Sequence, residues 1–149
     1  MQLPLRRATL TEEKEAKRAI HEYLANKPGD VDYIDAANLQ VHLGILNRMK
    51  EQETRDIAEA EIHIIRLGNI AIATNPYEMF LDYGNQIKSR SAAEQTFLVQ
   101  LANGSEGYVP TKKAEKGGHY SAFISSGTIG HDGGEQLVRE TLKAIRGMF

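Results

Sequence analysis

The sequence contains no cysteine, which excludes disulfides and thiolate metal sites, although it does not by itself assign a compartment. No apolar run approaches the ~20 residues needed to span a bilayer. No basic block occurs: acids and bases are interspersed and the net charge is −2, so nucleic-acid binding has no electrostatic support. Internal repeats and low-complexity tracts are missing. So are the nucleophile elbow, the phosphate-binding loop and the dinucleotide fingerprint. His21 and His42 lack a histidine four residues on and form no zinc-helix motif. The opening Met1–Arg7 lacks the apolar region of a signal peptide; if the protein is secreted, that signal lies outside this sequence.

What is present suits one domain over residues 1–149. Hydrophobic residues make up 41% and charged residues 26%, enough for a packed core and too apolar for wholesale disorder. Gln2–Arg7 reads as a short edge strand, where Pro4 is tolerated. Thr9-Leu10-Thr11-Glu12 has capping-box spacing, and Ala16, Ile20, Tyr23 and Leu24 follow at helical offsets, predicting a helix over Thr11–Ala25 that stops at Lys27-Pro28-Gly29-Asp30. A second helix is expected over Asp35–Glu53, with Leu39, Leu43 and Leu46 as its apolar stripe.

From Ala60 the period changes to two. Ile62–Leu67 and Ile70–Thr74 flank Gly68-Asn69, which predicts a tight β-hairpin. Met79–Lys88 reads as a short helix and Thr96–Ala102 as a mostly buried strand. The last helix opens at Asp132-Gly133-Gly134-Glu135 in capping-box style, with Val138, Leu142 and Ile145 inward and Leu137, Thr141 and Ala144 widening that face. The expected order is β-α-α-β-β-α-β-loop-α, an α/β or α+β fold with a mixed sheet. The loop over 103–131 is the anomaly. Eight of the thirteen glycines lie between Gly104 and Gly134, yet the segment also carries Tyr108, His119, Tyr120 and Phe123, which favours a functional loop over a solvated linker.

Three constellations in this region carry chemistry. In Asn75-Pro76-Tyr77-Glu78 a carboxylate follows the end of a strand, where open α/β sheets bind ligands. Read as the first turn of a helix, the position also favours an ionised Glu78 able to hold a cation. Asn103–Thr111 likewise follows a strand, and its glycines let backbone approach a ligand closely beside Tyr108. Gly117-Gly118-His119-Tyr120 can present the Tyr120 hydroxyl to developing negative charge. Taken singly, each has a plainer and stronger reading: a first-turn helix acid, a core-packed turn aromatic and a loop anchor. His63 reads as a solvent-side strand residue and His131 as a neighbour of the last helix's cap.

In their shared order these segments resemble the C-terminal part of the neutral (non-lysosomal) ceramidase family and its bacterial relatives. The resemblance runs through Leu3-Pro4-Leu5-Arg6-Arg7, Ile65–Ile72, Pro76-Tyr77-Glu78, Leu101-Ala102-Asn103-Gly104, Gly107-Tyr108-Val109-Pro110-Thr111 and Gly117-Gly118 with Tyr120. It implies a zinc-dependent amide hydrolase acting on ceramide or related lipid amides. By resemblance Glu78 and Tyr108 are metal ligands, and Tyr120, twelve residues beyond Tyr108, faces the substrate carbonyl. Tyrosine lies outside the usual zinc ligands. Tyr77 stands where the family carries glycine, Ser121 where relatives carry an acid, and His119 beside Tyr120 is unusual.

The family's two metal histidines belong to an N-terminal half that this sequence does not contain. The resemblance therefore implies a C-terminal segment that is inactive alone, partnered by that half, with zinc bound only when both are present. An extracellular or periplasmic setting is likewise implied by resemblance only. A cut across a shared core leaves apolar surface, so the isolated segment is expected to self-associate. The substitutions at Tyr77 and Ser121 keep a second reading open: a non-catalytic ligand-binding or interaction module derived from the same fold.

Overall fold

The computed structural model describes residues 1–149. The chain begins with β1 (Gln2–Pro4), followed by helices α1 (Leu10–Ala25) and α2 (Tyr33–Glu51). The start of α1 is dictated locally. The Thr9 hydroxyl accepts from the Glu12 N–H at 3.2 Å while a Glu12 carboxylate oxygen accepts from the Thr9 N–H at 2.8 Å, closing the capping box. Asp32 and Asp35 repeat the device at α2. Asp35 also bonds Lys27 and accepts from the Tyr23 hydroxyl at 3.0 Å, tying the two helices into an antiparallel hairpin.

Of the expected α2 stripe only Leu39 is fully buried, and Leu43 is exposed. Arg48 is buried instead, because the far end of α2 packs against backbone carbonyls. Its guanidinium donates to the Arg6 carbonyl at 2.6 Å and the Gly127 carbonyl at 2.9 Å.

After α2 come β2 (Ile57–Glu59), β3 (Ile64–Leu67), β4 (Ile70–Thr74), β5 (Glu78–Met79), α3 (Leu81–Arg90), β6 (Gln95–Val99), β7 (Tyr108–Val109), α4 (Lys112–Gly117), two 3₁₀ turns (Tyr120–Ala122, Ile124–Ser126) and α5 (His131–Arg146). The fold class is the expected mixture of helices with a mixed sheet. β3 and β4 form the antiparallel hairpin, with Gly68 at φ +61 as first turn residue. β4 and β6 pair in parallel across α3, a βαβ unit. β1 pairs antiparallel with β2, and β5 pairs in parallel with β7.

Ala71 and Ala73 of β4 face the core, and α3 and α5 lie over that side of the sheet. Leu137, Val138, Thr141, Leu142 and Ile145 supply the buried face of α5; Ala144 is exposed, so the face is narrower than its sequence suggests. Gly134 is required there, since a Cβ would lie 2.6 Å from the buried Tyr83 ring.

Four expectations need correction. Ala60–His63 is not strand: β2 ends at Glu59 and β3 begins at Ile64, so the alternation there spans a break. β6 is shorter than the expected strand and half exposed, because it is a sheet edge with Phe97 and Val99 on the uncovered face. The 103–131 segment is not one loop; it holds β7, α4 and both 3₁₀ turns, its backbone bonded to distant segments. The last helix opens two residues early, with Gly130 and not Asp132 at the cap position and no side-chain cap. Glu115 of α4 does that work, accepting from the His131 N–H at 2.7 Å and contacting His131 Nδ1 at 2.6 Å.

Candidate functional site

Parallel strands β4 and β6 run side by side, and the segments that carry the site, Asn75–Glu78 and Gln100–Tyr108, follow their carboxyl ends. Beyond β4, Asn75 turns the chain. Its buried side-chain oxygen accepts from the Tyr77 N–H at 3.0 Å, an Asx turn, while its own N–H reaches the Val99 carbonyl at 3.0 Å. Tyr77 is completely buried in the core. Alternation along the extended backbone then turns Glu78 to the other side, so the bulk of Tyr77 does not crowd the Glu78 carboxylate.

Glu78 is not in a helix. Its N–H donates to the Gly107 carbonyl at 3.0 Å, and the Phe80 N–H donates to the Val109 carbonyl at 3.2 Å. This parallel pairing places Glu78 directly opposite Tyr108. The helix offset of Met79, Phe80, Tyr83 and Ile87 starts two residues late because β7 claims this backbone first; α3 begins at Leu81. The helix-dipole argument for Glu78 therefore falls away, and its neighbour is a phenol instead.

Tyr108 meets Tyr120 edge to face, with ring centroids 5.8 Å apart at 70°. Tyr120 stands on the first 3₁₀ turn and is 68% exposed. The turn is held from behind: Arg6 Nη1 donates to the Ala122 carbonyl at 2.8 Å, and the Ser126 hydroxyl bonds the Tyr120 carbonyl. The structure thus brings Glu78, Tyr108 and Tyr120 together at one place. His119 and Ser121 flank Tyr120 on the same turn, and His119 is exposed. A cleft of about 350 Å³ opens here, lined by Glu78, Met79, Phe80, Gln100, Leu101 and Tyr108. Gln100 carried no legible signal in the sequence; Leu101 read only as a buried-strand residue at the head of Leu101-Ala102-Asn103-Gly104, not as a lining residue. Gln100 enters because its side-chain oxygen accepts from the Met79 N–H, and Leu101 because it adopts the left-handed region at φ +55.

The Glu78 carboxylate beside Tyr108 raises the pKa of its hydroxyl above the ordinary 10, by charge repulsion first and a hydrogen bond second. Tyr77 is pushed up to about 12 by burial, with the Thr128 hydroxyl beside it only partly offsetting the rise. Its own hydroxyl makes no hydrogen bond of normal geometry. Tyr83 is raised too, by burial, while its hydroxyl donates to the Pro110 carbonyl at 2.9 Å. Three of the six tyrosines should therefore ionise above pH 10 in an ultraviolet titration. Glu78→Gln should return only the Tyr108 step toward 10; an unchanged profile would show that the two groups do not interact. Because the folded chain keeps protons that the unfolded chain releases near pH 10, stability falls as pH rises past that point.

As a metal centre the arrangement is partial. A carboxylate and a phenol converge and suit a cation, but no group of three or more His, Cys, Asp or Glu side chains is placed to hold one. The chain matches no protein family, no curated protein and no solved structure.

Proposed function

We propose that this chain is the C-terminal half of a zinc-dependent amidohydrolase resembling neutral ceramidase, and that it is inactive alone. Glu78 and Tyr108 are its two metal ligands and Tyr120 its oxyanion donor. The observation that carries the reading is the register of β5 against β7, which sets Glu78 opposite Tyr108 with Tyr120 edge-on to the latter. Three residues singled out from separate segments are neighbours: Glu78 and Tyr108 line one cleft and Tyr120 packs against Tyr108.

In this reading the absent N-terminal half contributes the two histidines and most of the lipid-chain groove. Zinc, when bound, activates water and polarises the amide carbonyl. The residues of this chain hold and orient. Glu78 presents an anionic oxygen. The Glu78 charge keeps the Tyr108 proton in place; as a ligand Tyr108 would have to release it, so the pair would hold a cation better as pH rises. The Tyr120 hydroxyl donates to the carbonyl oxygen as negative charge grows there. The alternative, a non-catalytic ligand-binding or interaction module, draws its support from the donor count: two ligands fall short of the three that a catalytic zinc requires.

The test joins this chain to the histidine-bearing half in one polypeptide. Zinc should bind at one per molecule and a fluorescent N-acyl sphingosine should be hydrolysed, with no turnover by the 149-residue chain alone. Glu78→Ala should cost at least ~100-fold in zinc affinity. Tyr120→Phe should keep the metal and lose ~100-fold in kcat. Full zinc occupancy in Glu78→Ala, or no metal in the joined protein, would rule the hydrolase out in favour of the module.

A further inference from the structure

We propose that Arg6, held in place by Glu115, positions the 3₁₀ turn that presents Tyr120 to Tyr108. The turn has little of its own to fix it. The Ala122 and Phe123 N–H groups both donate to the His119 carbonyl, at 2.7 and 2.9 Å, and no side chain caps the turn. Gly117 and Gly118 lead into it, and a Cβ on either would meet nothing within 4 Å, so the lead-in brings no side-chain packing. On the near side the Ser126 hydroxyl bonds the Tyr120 carbonyl.

Arg6 holds the far end. Its Nη1 donates to the Ala122 carbonyl at 2.8 Å and to the Phe123 carbonyl at 3.2 Å, so one planar head grips two successive carbonyls. The backbone of Arg6 is fixed: its N–H donates to the Thr128 carbonyl at 3.0 Å and its carbonyl accepts from Arg48 at 2.6 Å. The side chain is fixed by charge. Arg6 Nε lies 3.8 Å from a Glu115 carboxylate oxygen. His131 in turn holds both oxygens of that carboxylate, through its N–H at 2.7 Å and its Nδ1 at 2.6 Å. The Arg6 and Glu115 side chains are only 16% and 15% exposed, so their attraction is weakly screened. Gly130 leaves room for the pair, since a Cβ there would lie 2.6 Å from Glu115 Oε1 and 3.2 Å from Arg6 Cγ.

Tyr120 is largely exposed, and its edge-to-face contact with Tyr108 is too weak to hold an otherwise loose turn. The ring keeps its place because the backbone beneath it is braced. Arg6 is therefore a positioning residue: it acts on Tyr120 through the carbonyls of the turn. That the braced ring serves as an oxyanion donor rests on the hydrolase reading; the bracing itself does not. In that reading the brace matters, because a displacement of ~1 Å at a reacting group can cost ~100-fold in rate.

Nuclear magnetic resonance on the 149-residue chain with ring-labelled tyrosine reads the contact directly, as Overhauser cross-peaks between the Tyr108 and Tyr120 rings. Tyr108→Phe and Tyr120→Phe assign them. Arg6→Gln should abolish the cross-peaks, and Arg6→Lys, which keeps the cation without the planar fork, should retain part of their intensity. Gly130→Ala leaves Arg6 in the chain and crowds Glu115 first; at φ −101 the backbone accepts an alanine. It should weaken the cross-peaks, and it decides the matter if Arg6→Gln does not fold. Arg7→Gln, which removes a side chain paired with Asp56 and 53% exposed, should change nothing. Cross-peaks at wild-type intensity in Gly130→Ala and in folded Arg6→Gln overturn the proposal. So does a lowered melting temperature with the cross-peaks intact, which would make Arg6 a structural residue only. In the protein joined to the histidine-bearing half, Arg6→Gln should lower kcat by ~10-fold with KM and zinc occupancy unchanged. Loss of the cross-peaks in the variants, together with a joined wild type that turns nothing over, would sink the hydrolase reading and leave the positioning role standing.

Discussion

Arg48→Ala is expected to destabilise the fold by about 2–4 kcal/mol, because the charge-assisted hydrogen bonds of a buried guanidinium to two backbone carbonyls are lost. Arg48 is a central fastener of the molecule. Its Nη1 reaches the Arg6 carbonyl, its Nη2 the Gly127 carbonyl, and its Nε the Glu51 carboxylate at 3.0 Å. Three segments far apart in sequence thus converge on one guanidinium: the extension of β1, the end of α2 and the strand-like turn after the second 3₁₀ turn. Hydrogen bonds from a charged donor each contribute ~1.5–3 kcal/mol, and a carbonyl deprived of its donor inside the fold keeps its desolvation cost.

Gln52, one turn further along, cannot replace the lost donors because its side chain is committed to Ala8, donating to the carbonyl at 2.9 Å and accepting from the N–H at 2.7 Å. Arg48→Lys should fall between wild type and Ala, because a single ammonium cannot serve acceptors that diverge in three directions. Urea unfolding measures both variants. A loss below ~1 kcal/mol in Arg48→Ala would mean that water or relaxation satisfies the carbonyls and that the fastener is incidental.

Gly127→Ala carries the second large effect, and it bears on the site itself. Gly107 and Gly127 form an isolated antiparallel bridge that carries the chain into β7. A Cβ on Gly127 would sit 2.0 Å from the Tyr108 carbonyl oxygen, and one on Gly107 would sit 2.3 Å from the Ser126 carbonyl oxygen. Gly107 has φ +78, so a side chain there is strained as well as crowded. At Gly127 the backbone is extended, and the clash alone decides the outcome.

Backbone cannot yield like the tip of a flexible side chain, so β7 must shift off β5. The expected cost is about 2–3 kcal/mol. The Tyr108 hydroxyl should also leave the Glu78 carboxylate, and its ionisation should fall back toward 10. Gly117→Ala is the control: a Cβ there meets nothing within 4 Å, and its stability should be near wild type. If Gly127→Ala titrates like wild type, the bridge does not position Tyr108.

Much of the chain was legible because its signals are local. The Thr9–Glu12 box, the Gly68-Asn69 turn and the periodicity of α1 and α5 depend on residues within a few positions of one another. The mixed sheet followed from a hairpin signal and a strand–helix–strand order. Glu78, Tyr108 and Tyr120 drew attention by residue type at strand ends and glycine-rich turns, and the structure brings them together. His131 was visible as a cap neighbour, but Glu115, which caps the helix, was not; it acts from α4, which the sequence presents only as part of a glycine-flanked loop.

By itself the sequence determined four of the five α-helices, the hairpin, the lack of thiol chemistry and the set of polar residues available for a site, because those properties belong to single residues or to neighbours along the chain. Only the tertiary structure decided that Glu78 is a strand residue facing Tyr108 instead of a helix acid. The hydrogen bonds that hold it come from Gly107 and Val109, about thirty residues away, and periodicity within a segment carries no record of them. The same holds for Arg48, polar on a helix stripe yet buried by distant carbonyls. It holds too for the uncovered sheet face, whose residues read as core strands until the fold left one side without a layer.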